Sequence, residues 1–410
     1  MTPKRYAIFA TLVSDGMEVT DGALAFEGDR ITYAGSRDGF AALPDAHSFS
    51  TIDVPPGSVV VPGLIDLHCH GALGTDFSSP EASGLAAALE FLHASGTTTL
   101  LASLAAAPRA QLLQAAELLA EQAEAGLLAG IHAEGPFLSP QRAGAQDQRA
   151  LCAPEQDFVD ELVMASRGQL RTMTYAPELP GADELAEQLA SHGVVPSLGH
   201  TDAGPGIMAD GLDFAREQLQ LAGVDGFTEV PTATHLFNGM PPMHHRCPGP
   251  AGEALEKAAA GEAIVELVAD GVHLDPLMIR LVFRLAGARS IVLVSDSTSA
   301  TGLADGTYQL AGQQITTAAG RALLAGTSTL AGSTSTLLDV VRCTVAAGVP
   351  LVAAIESATK VPASLIGLAD EAGSLHQGFA ADVLVLDQEL ALVHAIRKGQ
   401  VLGPAGQHQR

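Results

Sequence analysis

The sequence predicts an α/β protein, a (β/α)8 barrel of the TIM type with a small β-sandwich domain built from both chain ends. Between residues 58 and 370, short apolar runs alternate with longer segments that are rich in Ala, Leu and Glu and have helical spacing. The chain has 410 residues, which exceeds the about 250 residues that such a barrel needs. Strand-like, turn-rich segments at both ends account for the excess.

The barrel is predicted from its candidate strands. These are short runs of apolar and β-branched residues, at 59–67, 97–102, 129–133, 172–176, 194–198, 231–234, 263–269 and 290–295. Helical candidates between them include 108–125, 181–191 and 276–285. Eight alternating units favour a closed parallel barrel, in which function lies at the carboxyl ends of the strands. An open doubly wound sheet is the alternative.

The domain boundaries follow from the same pattern. Residues 1–57 and 371–410 are predicted to form the two parts of the small β domain, and residues 58–370 to form the barrel. Neither end is long enough to build a stable core by itself, so we expect the two ends to pair.

Composition disfavours several classes of partner. A formal net charge of −25 and a pI near 4.7 argue against nucleic acid and anionic membranes, because both attract clustered Lys and Arg. An anionic small molecule remains compatible if a few cationic groups are concentrated at its site. No stretch approaches the ~18 apolar residues of a membrane span. Four scattered cysteines without a C-x-x-C pair predict a reducing, cytoplasmic environment.

Metal-ligand side chains follow several of the predicted strands. His68 and His70 close the first apolar run, and alternate residues of a strand share a face, so both imidazoles would point at one place. Candidate ligands or polar groups at the other strand ends are Glu134, His200, His235, Asn238 and Asp296. A single residue of this kind is usually a hydrogen-bonding turn residue. Five strand ends of one barrel that all carry such residues predict a metal site.

The ligand types also indicate the chemistry. A carboxylate with neutral imidazoles suits zinc, iron or another divalent transition ion better than calcium or magnesium, which prefer oxygen ligands. Such an ion lowers the pKa of bound water from near 16 toward about 7. Asp296 would accept that proton and later deliver it to a leaving group. Capping of the following helix, or metal ligation, is the alternative role for Asp296.

At this point the sequence resembles the metal-dependent amidohydrolase superfamily and, within it, the family of deacetylases that act on N-acetylated amino sugar phosphates. The motifs that carry the resemblance are Pro62-Gly-Leu-Ile-Asp-Leu-His-Cys-His-Gly, His132-Ala-Glu-Gly-Pro-Phe-Leu, Ala176-Pro-Glu, Gly199-His-Thr, Thr234-His-Leu-Phe-Asn-Gly-Met, Asp270-Gly-Val-His, Ser295-Asp-Ser-Thr and Leu330-Ala-Gly-Ser. Their order and spacing make the set specific, although each motif alone is weak.

The resemblance implies a role for each matching metal ligand. Glu134, His200 and His235 would bind the principal ion, and Asp296 would be the catalytic acid and base. His68 and His70 would help to hold a second ion, so one or two ions are expected per subunit. The implied reaction is hydrolysis of the acetamide of N-acetylglucosamine 6-phosphate.

The resemblance also implies how the substrate's phosphate is bound. Asn238 and Gly239 match a loop beneath the phosphate. Arg246 and His273 match residues that approach it from the neighbouring subunit, which implies a homodimer. The planar donor fork of an arginine suits phosphate oxygens. His244 and His245 lie on the same predicted loop as Arg246, and their involvement stays open.

One position departs from the family pattern. Family members usually carry Gly-x-His after the Glu-Gly-Pro motif, and that histidine hydrogen-bonds the amide carbonyl under attack, whereas this chain has Gly144-Ala-Gln146. Glutamine donates a hydrogen bond but cannot become cationic, so it would stabilise an oxyanion less. An amidohydrolase acting on a different N-acyl amino sugar, phosphorylated or not, is therefore the first alternative function. A non-catalytic sugar-phosphate sensor is the alternative from another class.

Overall fold

The structure is a computed structural model that describes residues 4–81, 83–223 and 229–403. The predicted small domain begins at residue 1 and ends at residue 410, so residues 1–3 and 404–410 of that prediction lie outside the described residues. Among the helices that the structure describes, none combines the length and apolar character needed to cross a membrane.

The strands and helices alternate through the middle of the chain. The strands are β1 (Arg5–Ser14), β2 (Met17–Glu27), β3 (Arg30–Ser36), β4 (Ser50–Thr51), β5 (Val59–Pro62), β6 (Leu64–Asp66), β7 (Gly71–Ala72), β8 (Thr75–Asp76), β9 (Thr97–Ala105), β10 (Gly130–Glu134), β11 (Leu170–Tyr175), β12 (Val195–Leu198), β13 (Thr232–Ala233), β14 (Ile264–Leu267), β15 (Ile291–Leu293), β16 (Thr307–Leu310), β17 (Gln313–Ala318), β18 (Arg321–Leu324), β19 (Val383–Leu386), β20 (Leu392–Arg397) and β21 (Gln400–Val401). The α-helices are α1 (Arg37–Ala41), α2 (Leu85–Ala94), α3 (Arg109–Glu124), α4 (Gln156–Ala165), α5 (Ala182–Ser191), α6 (Ile207–Ala222), α7 (Gly249–Ala259), α8 (Pro276–Ala286), α9 (Leu337–Ala346), α10 (Leu351–Ala358) and α11 (Lys360–Leu365).

The barrel prediction is confirmed. An 8-stranded sheet runs β15-β14-β13-β12-β11-β10-β9-β6, so neighbours in sequence are neighbours in space. The two ends of this sheet meet just after β6 and β15. There Asp296 N donates to His68 O at 2.8 Å, and Cys69 and Ser297 form an isolated parallel β-bridge. A sequential, closed order excludes the doubly wound alternative, which requires a reversal of strand order.

Helices cover the barrel through regularly spaced small and aliphatic residues. In α3 the buried positions follow a helical repeat: Leu112, Ala115, Ala116, Leu119 and Ala120. Each fully buried Leu contributes about 1.5–3 kcal/mol relative to an exposed one. The alanines let the helix lie close to the strands, so the barrel walls are densely packed and the strand ends are held in fixed positions.

The predicted first strand, 59–67, is two strands in the structure. β5 pairs with β1 and β19 in the small domain, whereas β6 pairs with β9 in the barrel. The chain changes sheets at Gly63, where a Cβ atom would lie 2.0 Å from Thr98 Oγ1. A continuous apolar run does not reveal this change, because both halves are buried. Only the glycine marks the point where the chain passes too close for a side chain.

The small domain is built from both chain ends, as predicted. Its strands form an 8-stranded sheet in the order β21-β20-β19-β5-β1-β2-β3, with β4 beside β1. The segment before β19 reaches β3, since Ile31 N donates to Phe379 O at 2.9 Å. Phe26 of β2 and Val383 of β19 share one apolar cluster. The strands from the amino-terminal end (β1–β3) and those from the carboxyl-terminal end (β19–β21) therefore share an apolar core. Hydrogen bonds connect the two groups of strands through β5, which pairs with β1 and β19.

A three-stranded insertion, β16–β18, follows the last barrel strand and was not among the predicted elements. Ala311 N donates to the buried Asp76 carboxylate at 2.5 Å, and Ser299 Oγ donates to Gln309 O at 2.5 Å. These contacts fix the insertion beside the carboxyl ends of the barrel strands. Its alternating exposed and buried residues in β17 resemble an ordinary surface hairpin, so its residue pattern does not indicate that it borders a functional site.

Candidate metal centre and active site

Glu134, His200 and His235 form a first cluster at the barrel mouth. Glu134 Oε1 lies 3.0 Å from His200 Nε2 and 2.9 Å from His235 Nε2, and the two Nε2 atoms are 3.1 Å apart. All three side chains are buried. The residues lie at the ends of β10, β12 and β13, which are close together in the barrel, so the fold itself brings them together.

His68, His70 and Asp296 form a second cluster next to the first. The Nε2 atoms of His68 and His70 are 3.0 Å apart, and Asp296 Oδ1 lies 3.7 Å and 3.5 Å from them. Glu134 connects the clusters, because its Oε2 lies 3.2 Å from His70 Nε2. The site therefore has two adjacent sets of ligand atoms that share one carboxylate.

The donor set fits divalent ions. His200 Nδ1 lies 2.7 Å from Arg142 O, and His68 Nδ1 lies 3.1 Å from Glu266 Oε2. Both Nδ1 atoms thus carry the proton, and both Nε2 lone pairs face the clusters. Lone pairs at such close range repel unless a cation lies between them. In a tetrahedral zinc site with bonds of about 2.0–2.1 Å, ligand atoms are about 3.3 Å apart, close to the separations in the first cluster.

The charges around the buried groups, and the directions in which they shift the pKa values, support the same conclusion. Burial alone would raise the pKa of Glu134, but the neighbouring charges of His200 and His68 hold it well below its ordinary value. Burial opposes the charged form of His68, yet Glu134, Glu266 and Asp296 raise its pKa well above the ordinary value. The buried carboxylates thus favour positive charge at this place, which a divalent ion supplies.

Three of the site residues have left-handed backbones. The φ angles are +46° at His200, +28° at His235 and +48° at Asp296. Residues other than glycine adopt such angles rarely, at a cost of order 1–3 kcal/mol each, and keep them where the surrounding structure holds them. The sharp turn directs each side chain from its strand end into the barrel mouth. Periodicity in the sequence does not predict these angles.

Glu266 is a functional candidate that was not predicted from the sequence. It lies on β14, is buried, and accepts hydrogen bonds from His68 Nδ1 and from His235 N at 3.3 Å. One carboxylate thus orients two of the four clustered histidines. A single Glu within the apolar segment Ala263-Ile-Val-Glu266-Leu-Val-Ala was the available signal, because an isolated carboxylate is rarely buried without a specific partner.

Replacing Glu266 by Gln is expected to weaken metal binding about 10- to 100-fold, as is typical for residues that orient ligands. The amide oxygen can still accept from His68 Nδ1 and His235 N, but without the negative charge it no longer increases the basicity of His68. Competition with a chelator of known affinity measures the effect. Glu90→Gln, at an exposed carboxylate on α2, is the control and should bind metal like the parent. Equal affinities in both variants would contradict this role of Glu266.

Apart from His68, the residues of the clusters line a cavity of about 190 Å³ that opens to solvent. The lining residues outside the clusters are Gly144, Ala145, Gln146, Asn238, Gly239, His273, Leu310, Thr329, Leu330 and Gly332. The insertion and the segment after it contribute Leu310, Thr329, Leu330 and Gly332. The cavity is thus polar at the barrel rim and apolar along the insertion.

His273 lines the cavity of its own chain. The resemblance implied an approach to the phosphate of the neighbouring subunit, and that expectation stays a prediction. His273 Nδ1 lies 2.9 Å from Asp270 Oδ2, and the Asp270 carboxylate also accepts from His273 N at 2.8 Å. Burial alone would lower the pKa of His273, but Asp270 raises it above the ordinary value. Asp270 therefore favours the cationic form of His273 inside the cavity.

Asn238 and Gly239 lie in the loop after β13. Asn238 Nδ2 donates to His235 O at 3.1 Å, and Gly239 O accepts from Thr201 N at 3.0 Å. Gly239 has a φ of +61°, and a Cβ atom there would lie 3.0 Å from His200 Nδ1. Only glycine allows this loop to lie against the metal ligand, as the close approach requires.

Arg246, His244 and His245 lie outside the cavity of their own chain. All three are exposed, and Arg246 Nη1 lies 2.9 Å from His245 Nε2. Within the described residues Arg246 forms no ion pair. Its guanidinium is thus available to bind an anion outside the cavity of its own chain.

Gln146 is buried and lines the cavity wall. Its side-chain Oε1 accepts from Ala106 N at 2.7 Å, and its Nε2 donates to Glu134 Oε2. The family pattern led us to expect Gln146 as a donor to the substrate. In the structure its amide contacts the predicted metal ligand Glu134, and its contact with the substrate stays a prediction.

A parallel β/α barrel with buried histidines and carboxylates at the carboxyl ends of its strands is the architecture of metal-dependent hydrolases. The model of the amidohydrolase family matches residues 59–214 and 230–404. The chain belongs to the amidohydrolase family.

Relatives of known function are similar over most of their length. N-acetylglucosamine-6-phosphate deacetylase of Bacillus subtilis is 31% identical over 410 residues, covering 95% of this chain and 98% of the relative. The human protein of the same name is 32% identical over 362 residues, covering 85% and 84%.

Solved structures give the same picture. A variant of N-acetyl-D-glucosamine-6-phosphate deacetylase from Mycobacterium smegmatis, in complex with N-acetyl-D-glucosamine-6-phosphate, matches with a TM-score of 0.87 and 35% identity, covering 97% of this chain and 99% of the other. The enzyme of that name from Thermotoga maritima matches with a TM-score of 0.79 and 28% identity, covering 96% and 98%.

Proposed function

We propose that this chain is a metal-dependent deacetylase that hydrolyses N-acetylglucosamine 6-phosphate to glucosamine 6-phosphate and acetate. The observation that carries the proposal is that one cavity holds two adjacent metal-ligand clusters, one of which includes Asp296, together with His273, which is paired with Asp270. The similar deacetylases support the choice of substrate. The proposal includes zinc or iron as the metal, one or two ions per subunit, and a cytoplasmic location.

The metal would be held by Glu134, His200 and His235, with His68 and His70 for a second ion, and would supply Lewis acidity at the reacting carbonyl. Asp296 is the general base and acid. Its carboxylate accepts a proton from water as the water oxygen bonds to the carbonyl carbon. The same group then protonates the amine nitrogen as the C–N bond breaks. Asp296 N and O are held by His68 O and Ser333 N, so the carboxylate has a fixed position.

The cavity walls support an orientation for the substrate. Asn238, Gly239 and His273 offer polar and cationic groups, which suit the sugar hydroxyls and the phosphate. Leu310 and Leu330 offer an apolar surface, which suits the acyl methyl group. The amide carbonyl then lies between these walls, next to Asp296 and the ligand clusters.

The Asp270–His273 pair predicts a pH dependence of substrate binding. In the parent, Asp270 keeps His273 cationic to a higher pH, so KM for the phosphorylated substrate should rise only as pH passes the raised pKa. Asp270→Asn removes that stabilisation, and the rise should begin at lower pH. Loss of one charged hydrogen bond, about 1.5–3 kcal/mol, corresponds to about 10- to 100-fold in KM. A KM that rises over the same pH range in parent and variant would contradict this.

A homodimer with Arg246 acting on the neighbouring subunit's phosphate is a further part of the proposal. The exposed Arg246 and its lack of an ion pair in the described part of the chain support it. The helix after His273, α8, also carries exposed Leu277, Leu281 and Leu285 at helical spacing, a surface suited to subunit contact.

Mixed dimers of Asp296→Asn and Arg246→Ala subunits test the action across subunits. If Arg246 acts on the partner's site, the Arg246→Ala subunit keeps Asp296 and receives an intact arginine, so the mixed dimer regains about half of the parent activity. Differently tagged subunits allow its purification. If Arg246 acts within its own chain, mixing restores nothing. A monomer by light scattering would exclude the dimer.

The second candidate function is hydrolysis of a different N-acyl amino sugar. Gln146 favours it, because the family histidine at this position contacts the substrate carbonyl and the glutamine contacts Glu134. Rates with N-acetylgalactosamine 6-phosphate and with unphosphorylated N-acetylglucosamine distinguish the two candidates. Faster turnover of either would favour the second.

A further inference from the structure

The orientation of the Gln146 amide is fixed by its two partners. Ala106 N is a donor only, so the atom that faces it must be the amide oxygen, and the NH2 group must face Glu134 Oε2. The carboxylate of Glu134 is an acceptor, so the second contact agrees with the first. The glutamine therefore links the backbone of the β9 end to the carboxylate that the two ligand clusters share.

Glu134 requires such a partner because its carboxylate serves both clusters. Oε1 faces His200 and His235, whereas Oε2 faces His70. The terminal torsion of a glutamate is broad, so packing alone does not fix which oxygen faces which cluster. A donor on Oε2 fixes the plane of the carboxylate.

The segment that carries Gln146 also orients a second ligand. Arg142 O accepts from His200 Nδ1 at 2.7 Å, and Gln146 N donates to Ala143 O at 2.9 Å, closing a turn between them. Gly144 lies against His200, where a Cβ atom would be 3.3 Å from Cε1. One short turn thus holds His200 by a carbonyl group and Glu134 by an amide group.

We propose that Gln146 is a positioning residue for Glu134 and not a donor to the substrate's carbonyl. It keeps both carboxylate oxygens directed at the ligand clusters, and its neutral amide adds no titrating group to the site. This inference rests on the metal dependence proposed above, but not on the identity of the sugar.

The test compares metal affinity in Gln146→Ala and Gln146→Met with the parent. Gln146→Met keeps most of the side-chain volume and loses both hydrogen bonds, so it remains informative if Gln146→Ala folds poorly. Gln148→Ala, at an exposed glutamine on the same segment, is the matched control. Zinc affinity is measured by chelator competition without substrate, and the melting temperature of each metal-free protein is measured beside it.

The expected result is a loss of zinc affinity of about 10- to 100-fold in Gln146→Met, with a modest fall in the melting temperature of the metal-free protein because Ala106 N loses its buried acceptor. Gln148→Ala should match the parent. Parent-like zinc affinity with a reduced kcat would assign Gln146 to the substrate and overturn the inference. A lowered melting temperature of the metal-free variants with unchanged zinc affinity would assign it a merely structural role and also overturn it. Failure of the proposed function would appear separately, as absent acetate release by the zinc-loaded parent.

Discussion

Asp296→Asn is expected to reduce kcat about 10²- to 10⁴-fold while leaving the metal content unchanged. Asparagine has nearly the same shape and keeps the backbone contacts to His68 O and Ser333 N, but its amide cannot accept a proton from water. Steady-state rates and metal analysis on the same preparation measure both quantities.

The outcome separates the two roles that the sequence left open for Asp296. Retained metal with lost turnover assigns Asp296 to proton transfer. Loss of one ion together with turnover would make Asp296 mainly a ligand of the second cluster. Retained turnover would remove it from the mechanism.

Glu134→Gln is expected to abolish turnover through loss of metal. Glu134 is the carboxylate that both clusters share, so its replacement should weaken metal binding by more than the about 10- to 100-fold typical of residues that only orient ligands. An ion that binds the folded state raises the melting temperature by mass action. Zinc should therefore raise the melting temperature of the parent and of Asp296→Asn, but have little effect on Glu134→Gln.

This comparison uses Asp296→Asn as the matched variant, because both changes replace a buried carboxylate by its amide in the same cavity. If Glu134→Gln binds zinc like the parent, Glu134 is not a ligand and the arrangement of the first cluster is wrong. If both variants lose zinc equally, the division of roles between Glu134 and Asp296 fails.

The barrel and the ligand clusters could be predicted because both depend on a repeating rule. In a closed parallel barrel every strand ends at the same rim, so His68, Glu134, His200, His235 and Asp296 meet although they are far apart in sequence. The prediction of the site depends only on which residues follow the strands. Errors of a few residues in the predicted strand boundaries therefore do not change it.

Features that depend on a single close approach could not be predicted. The change of sheet at Gly63 lies inside an uninterrupted apolar run, where a glycine could equally mark a bulge or a bend within one strand. The insertion β16–β18 has the residue pattern of an ordinary hairpin, although Leu310 lines the cavity. Both depend on which segments meet in space, which local periodicity does not encode.

Residues that orient the metal ligands could be predicted only in part from the sequence. Glu266 was detectable as a lone carboxylate in an apolar strand, although its partners were not. The departure at Gln146 was recognised from the sequence, but its direction was not, because either end of an amide can face the substrate. The contact with Ala106 N, a residue distant in sequence, decides that direction.

The most direct test of the proposed function is acetate release by purified, metal-loaded protein from N-acetylglucosamine 6-phosphate, measured beside unphosphorylated N-acetylglucosamine. The proposal predicts rapid release that depends on the phosphate, because Asp270 favours the cationic form of His273 inside the cavity. Little or no release from the phosphorylated sugar by protein that has bound its metal would contradict the proposed reaction.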